Sequence, residues 1–198
     1  AIENQRIIFN GDGYSQAWVE EAERRGLPNI RSMVDAIPAL VSDKAVGLFE
    51  KFGVFTKAEL ESRAEISYEN YSKAINIEAR TMIDMARKQF LPAIIKYTKT
   101  LADTVNAVKQ AGADTSVQEE TLAEITVLLK DARAALMELE KVTAEVSEMP
   151  DGPEKAQKYY RVVHPAMDEL RDPVDQLEMI VDKEAWPMPS YGDLIFEV

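Results

Sequence analysis

Two groups of carboxylates in this sequence have the residue types and spacing that could bind a metal ion. In the first group, Asn10, Asp12 and Glu21 stand at the first, third and twelfth positions of a calcium-binding loop. Tyr14, however, occupies the next ligand position of that loop, and Ser15 stands where the loop requires a glycine. A turn is therefore the better interpretation of this segment.

A second group, formed by Glu65, Glu69, Glu78 and Asp84, would suit a di-iron site in a helical bundle. Such a site needs two Glu-x-x-His motifs, and His164 is the single histidine of the chain. His164 lacks a serine or cysteine elbow motif, which favours a structural or surface position over a catalytic one. The carboxylates are better explained as solvated helix faces paired with nearby lysine and arginine. The residues themselves therefore predict no catalytic, cofactor-binding or metal-binding side chain.

Composition excludes several classes of function. The chain has 198 residues, 46% of them hydrophobic, enough for a core that buries roughly 70% of the unfolded surface. Its net charge of −12 disfavours nucleic acid and anionic membrane as partners. The absence of cysteine excludes disulfides and thiolate chemistry, and no apolar run is long enough to span a membrane. Because residues 1–6 lack an initiator methionine and read as the end of a helix, we expect the chain to be a piece of a longer protein.

Residues 1–55 are predicted to form a collar of short helices. The first covers 15–25 and is stopped by a glycine and a proline, and the second covers 32–40. The third begins at Ser42, which can cap it, and ends at Gly53.

A much longer helix is predicted between Thr56 and Gly112, with a length of about 80 Å at 1.5 Å per residue. Thr56 and Glu59 form a capping box at its start, and Gly112 stands where a helix C′ residue belongs. Between Ile75 and Ile95 apolar residues occupy more than one face, which predicts burial on several sides.

Two further helices complete a bundle. Ser116 and Glu119 predict a second capping box after a tight connection, so the second helix runs antiparallel to the long one. Its apolar residues recur at steps of three and four, the spacing of a heptad seam. These seam residues are Leu122, Ile125, Leu129, Ala132, Leu136, Leu139, Thr143 and Val146. The third helix shows the same spacing in Tyr159, Val163, Ala166, Leu170, Val174, Leu177 and Val181. Residues 56–186 are therefore predicted to form a long antiparallel three-helix bundle, and the fold class is all-α.

Prolines at three positions inside the predicted helices are expected to disturb their regular backbone. Pro92 predicts a kink just before it, and a complete break is the alternative. Pro165 and Pro173 predict that the third helix bends around its neighbours or splits into shorter pieces.

Residues 187–198 are predicted to form an extended apolar tail. Pro187 and Pro189 disfavour helix and force an extended path. From Trp186 onward the segment is rich in aromatic and aliphatic side chains that are costly to leave in water. We therefore expect it to dock on a surface, either within this chain or in a part of the protein that the chain does not cover. The collar, the bundle and the tail are expected to form one structural domain.

Four sequence motifs are specific in their residues and in their order along the chain: RIIFNGDGYS at 6–15, RGLPN at 25–29, NIEARTM at 76–82 and WPMPSYGDLIF at 186–196. Together they resemble the carboxy-terminal region of type III glutamine synthetases. The similarity covers essentially the whole chain.

The resemblance implies a cytoplasmic parent enzyme that ligates ammonia to glutamate with ATP and Mg²⁺ or Mn²⁺, in large ring-shaped oligomers. It also implies that the catalytic segment, with its metal-binding glutamates and nucleotide-binding arginines, lies upstream of Ala1. None of those motifs is present here, so no catalytic, metal or ATP residue is carried over. The fragment by itself is expected to be inactive.

Two roles follow for such a domain. In the first it is architectural, and it contacts the catalytic domain of its own chain and neighbouring subunits of the ring. In the second it is a regulatory or adaptor module that binds a partner protein through its heptad face. An exposed apolar strip between Leu122 and Leu139 would favour the adaptor, and a seam covered by the third helix would favour the architectural role.

Overall fold

The computed structural model describes residues 7–196, and within that range the backbone forms helices and connections without a β-strand. The predicted helix end at residues 1–6 and the last two residues of the tail lie outside this range. The helices are α1 (Gln16–Arg24), α2 (Met33–Leu40), α3 (Asp43–Lys51), α4 (Lys57–Met85), α5 (Leu91–Gln110), α6 (Ser116–Ser147), α7 (Pro153–Lys158), α8 (His164–Ile180) and α9 (Tyr191–Phe196). Two π-helical segments, Ala86–Phe90 and Tyr159–Val163, join α4 to α5 and α7 to α8. The all-α prediction is confirmed.

The chain divides into two compact units, of which the first ends at Ser67 and the second begins at Tyr68, inside α4. The first turns of α4 belong to the first unit, where Leu60 and Ala64 are buried. The division of the sequence into 1–55, 56–186 and 187–198 stays a prediction about domains.

The three short helices of the first unit begin where the sequence places them. The hydroxyls of Ser15, Ser32 and Ser42 each accept a hydrogen bond from a backbone N–H three residues later, so each serine is an N-cap. Gly53 follows α3 with a φ of +64°, a left-handed conformation that glycine adopts without a side-chain clash.

The ends of the predicted long helix are also confirmed. The Thr56 N–H donates to the Glu59 carboxylate at 2.7 Å, and the Glu59 N–H donates to the Thr56 hydroxyl at 3.4 Å. At the other end Gly112 has a φ of +78°, and the Ala113 N–H donates to the Val108 carbonyl, the hydrogen bond that closes a Schellman motif. The second capping box differs from the prediction, because the N-cap of α6 is Thr115 rather than Ser116. The Thr115 hydroxyl donates a hydrogen bond to the Glu119 carboxylate at 3.0 Å.

The prolines neither break the long helix nor split the third one. Helical backbone continues for 54 residues from Lys57 to Gln110, and the π-helical segment precedes Pro92. There the Leu91 N–H donates to the Ala86 carbonyl five residues back, a wider turn that accommodates the missing N–H of the proline. The same arrangement precedes Pro165, where the His164 N–H donates to the Tyr159 carbonyl. Pro173 lies inside α8 without interrupting it.

The core of the second unit is the predicted bundle seam. α6 packs against both α5 and α8. Of the eight seam residues, all but Leu122 and Leu129 are buried, and these two are half-buried. All seven predicted positions of the third helix are buried as well. The heptad spacing therefore identified the contact faces of both helices.

The long helix is buried less widely than its sequence predicts. Ile75, Leu91 and Ile94 are in the core, but Ile77 is 64% exposed and Ile95 is 57% exposed. The prediction of burial on several sides is therefore wrong for these two isoleucines. In the second unit Ile77 and Ile95 face solvent, whereas Met82, Ile83 and Phe90 are half-buried against the core.

The segment after α8 differs from the predicted extended tail. Residues 187–190 are non-helical, but Tyr191–Phe196 forms the short helix α9. Both prolines precede Ser190, so their restriction ends where α9 begins. Ser190 and Asp193 form a reciprocal cap, with the Ser190 N–H donating to the Asp193 carboxylate at 2.7 Å and the Asp193 N–H donating to the Ser190 hydroxyl at 3.3 Å.

Candidate functional site

The carboxylates with calcium-loop spacing do not converge on a metal position. The Glu21 carboxylate accepts hydrogen bonds from Arg24 at 2.6 and 2.7 Å and from Arg25 at 2.6 Å. These guanidinium groups, Arg24 first and then Arg25, lower the pKa of Glu21 to about 2. The Asp12 carboxylate accepts from the Tyr14 N–H at 2.9 Å. The turn interpretation of this segment is therefore confirmed.

The carboxylates considered for a di-iron site lie on solvated faces of α4. Glu69 forms an ion pair with Lys73 one turn away, and Asp84 forms one with Lys88. Glu65 and Glu78 are exposed. Throughout residues 7–196, no group of three or more His, Asp or Glu side chains is placed to hold a metal ion.

His164 is the first residue of α8, with its side chain 47% exposed. Its Nδ1 lies 3.4 Å from Oδ2 of Asp168, four residues later on the same face. This matches the predicted surface position and places the imidazole at the edge of an apolar groove.

We call this feature the methionine groove. It has a volume of about 490 Å³ and lies between α8 and the part of the long helix that includes the first π-helical segment. Four of the eight methionines of the chain contribute to it. Its apolar lining includes Met82, Met85, Phe90, Met167, Trp186 and Met188.

Trp186 closes the groove by packing on Phe90. The two ring centroids are 5.2 Å apart and the ring planes are inclined by 30°, which is a stacked arrangement. The turn after α8 places the indole there, since the backbone N–H groups of Ala185 and Trp186 both donate to the Asp182 carbonyl. Of the segment that was expected to dock, Trp186 does so within the second unit, whereas the large apolar side chains after Ser190 remain exposed.

The rim of the groove is charged and mainly acidic. Asp168, Arg171, Asp175 and Glu178 lie along one side of it at spacings of three and four residues, which place them on one face of α8. Arg171 donates from Nε to Asp175 Oδ2 at 2.9 Å, and this hydrogen bond raises the pKa of Arg171. Three carboxylates and one guanidinium therefore give the rim a net negative charge.

A second apolar surface lies on α9. Four of its six residues have side chains that are more than half exposed: Tyr191, Leu194, Ile195 and Phe196. Lys183 forms an ion pair with Asp193 at 2.7 Å, which fixes the helix beside the end of α8. The hydrogen bond from Lys183, followed by those from Ser190, lowers the pKa of Asp193 to about 2.

Sequence reasoning identified Trp186 as a docking residue but missed the methionine groove. The pattern that could have revealed it is the placement of Met82 and Met85 at i, i+3 next to Phe90. Met167 lies one position beside the predicted core residue Ala166, and Met188 lies between two prolines, so neither belongs to a heptad pattern.

The model of the glutamine synthetase C-terminal domain family matches residues 1–109. This chain belongs to that family.

Among curated proteins it is similar to the glutamine synthetase of Butyrivibrio fibrisolvens, with 35% identity over the whole of this chain and 28% of that protein. It is also similar to the type-3 glutamine synthetase of Dictyostelium discoideum, with 34% identity over 98% of this chain and 27% of that protein. The chain thus spans little more than a quarter of the length of these relatives.

No helix within residues 7–196 combines the length and apolar character that crossing a bilayer requires.

Proposed function

We propose that this chain is the non-catalytic C-terminal domain of a type III glutamine synthetase. In the parent protein, glutamate and ammonia are joined to give glutamine with consumption of ATP, assisted by Mg²⁺ or Mn²⁺, in the cytoplasm. Support comes from the family match and from identities of 34–35% along nearly the full chain to two named glutamine synthetases. The test is glutamine formation by the full-length protein. Synthesis that requires both ATP and ammonia supports the proposal, and a full-length protein without it contradicts the proposal.

The described residues do not fit a catalytic metal or nucleotide site. They hold no cluster of three metal-ligating side chains, and Gly11, Asp12 and Gly13 form a turn rather than a phosphate-binding loop between strand and helix. From the resemblance to glutamine synthetases, we propose that ATP and metal bind in the part of the parent protein that this chain does not cover.

Within such an enzyme we propose that the domain contributes contact surface to the catalytic domain of its own chain and to neighbouring subunits of a ring. The observation that carries this proposal is the exposure of four large apolar side chains on α9. Burial of an exposed side chain of this kind stabilises an interface by roughly 1.5–3 kcal/mol. Ile77 and Ile95 provide further exposed apolar surface on the long helix.

The heptad face of α6 is not available for an adaptor role. Ile125, Leu136 and Leu139 have no exposed surface, and Leu122 and Leu129 are half-buried. A partner that bound there would have to displace packed core side chains. Burial of this seam therefore favours the architectural role over an adaptor that uses the same face.

The sharpest experiment replaces apolar side chains of α9 in the full-length protein. Deletion of residues 186–198 would also remove the Trp186–Phe90 contact, so Leu194→Ser with Phe196→Ser is the better variant. Met179→Ser is the matched control, because Met179 is 85% exposed on α8 and lies outside both α9 and the groove.

Sedimentation velocity and the glutamine-forming assay read out the result. We expect the two substitutions to weaken each subunit contact by roughly 2–4 kcal/mol. The α9 variant should therefore dissociate at concentrations where the control remains assembled. An α9 variant with unchanged oligomer size and activity would remove the support for the architectural role.

A further inference from the structure

The methionine groove combines an apolar floor with an acidic rim, and the bundle itself does not need this combination. Met85 and Phe90 are half-buried and Met188 is 37% exposed, so the floor keeps surface that a ligand can cover. Methionine side chains are flexible and polarisable, which lets such a surface adapt to different apolar partners.

The groove is longer along α8 than along the long helix, where its lining extends only from Met82 to Phe90. Along α8 its lining extends from His164 to Glu178, which corresponds to about 21 Å at 1.5 Å per residue. A bound helix of about fourteen residues would match this length. Two helices of the second unit already form its walls, so an incoming amphipathic helix would lay its apolar face between them.

The charge of the rim selects the kind of helix. Asp168, Asp175 and Glu178 line one side of the groove, and Arg171, the one cation of the lining, is already hydrogen-bonded to Asp175 at 2.9 Å. The whole chain carries a net charge of −12, which adds to the attraction of the rim for a cationic partner.

We propose that the methionine groove is a binding site for a basic amphipathic helix of a partner protein. The apolar side chains of that helix contact Met85, Met188 and Trp186, and its lysine or arginine side chains pair with Asp168, Asp175 and Glu178. This site is separate from the heptad seam of α6. The proposal rests only on the residues of the groove, and it does not depend on the parent enzyme being a glutamine synthetase.

The probe for this site is a fluorescently labelled fourteen-residue helical peptide of leucine and lysine, with the leucines on one face. Its counterpart has glutamate at every lysine position. Fluorescence anisotropy with the intact protein measures the Kd of each peptide. We expect the lysine peptide to bind and the glutamate peptide not to bind, and we expect binding to weaken between 50 and 200 mM salt, roughly over the range where exposed charges become screened.

Matched variants separate the groove from general attraction to an acidic protein. Asp168→Asn with Glu178→Gln removes two rim charges, and Glu169→Gln with Asp172→Asn removes two exposed charges of α8 that do not line the groove. The rim pair should raise the Kd of the lysine peptide about fivefold or more, and the control pair less than about twofold.

A second pair of variants tests the apolar floor. Met188→Ser should raise the Kd about fivefold, because a partly exposed methionine loses contact with the peptide. Met179→Ser, outside the groove, should leave it unchanged.

Three outcomes would overturn the proposal. The first is equal weakening by the rim and control pairs, which would show only non-specific charge attraction. The second is binding of the glutamate peptide as tightly as the lysine peptide. The third is self-association of the protein that Met188→Ser abolishes, because the occupant would then be a second copy.

Discussion

Truncating Phe90 and Trp186 to alanine should measure how much their contact contributes to the free energy of unfolding, and so how strongly the segment after α8 is held to the bundle. The rings stack with centroids 5.2 Å apart. An aromatic pair of this geometry contributes about 0.5–1.5 kcal/mol beyond its buried area. Both residues are half-buried, so each truncation to alanine should cost about half of the 3–5 kcal/mol that a fully buried aromatic residue loses. We therefore expect each single variant to be destabilised by about 2 kcal/mol.

Urea unfolding of the wild type, Phe90→Ala, Trp186→Ala and the double variant provides the assay. The double variant should be more stable than additivity predicts by about 0.5–1.5 kcal/mol, the coupling energy of the stacked pair. Far-UV circular dichroism is the probe, because two of the four proteins lack Trp186 and the helical signal is present in all of them. A coupling within about 0.3 kcal/mol of zero would refute the stacking and the anchoring of this segment.

Three further predictions concern the bundle, its turn and the cap of α9. Leu136→Ala should lower the free energy of unfolding by about 2–5 kcal/mol, because Leu136 is fully buried, whereas exposed Val127→Ala should change it by less than about 0.5 kcal/mol. Gly112→Ala should cost about 1 kcal/mol through its φ of +78° alone, because no atom lies within 4 Å of an added Cβ. The carboxyl of Asp193 should titrate near pH 2 by NMR, and Lys183→Met should move that midpoint towards the ordinary value of 3.8.

The lowered pKa of Asp193 makes the stability of the α9 cap depend on pH in the acidic range. The carboxylate of Asp193 stabilises the cap of α9 fully above about pH 4, and this contribution is lost as the pH falls towards 2. A midpoint near 3.8 in the wild type would contradict the cap. Equal losses for Leu136→Ala and Val127→Ala would contradict the seam, and a stabilised Gly112→Ala would contradict the left-handed turn.

The sequence correctly predicted several helix caps, which depend on local chemistry, and two buried helix faces, which depend on the regular spacing of apolar residues. The Ser42 cap, the Thr56–Glu59 box and the Schellman glycine each require specific atoms within a few residues, so their types reveal them. The seam of α6 and the buried face of the third helix follow from heptad spacing, because only one stripe of each helix can face its neighbours.

What the sequence did not reveal depends on tertiary packing. The wide turns before Pro92 and Pro165 keep both helices continuous because the neighbouring helical turns pack in the core, and no local rule chooses this over a break. Ile77 and Ile95 are as apolar as Ile75, so their exposure could not be inferred from residue type. The methionine groove joins residues from two distant parts of the chain, 82–90 and 164–188, which a periodicity along one helix cannot show.

Hydrogen–deuterium exchange of the α9 amides in the assembled full-length protein tests most directly whether this domain contributes to subunit contacts. A helix of six residues has little stability of its own, so strong protection requires a covering surface. We predict that these amides exchange slowly in the assembly and become fast when the subunits are dissociated. Equally fast exchange of α9 in both states would contradict the architectural role.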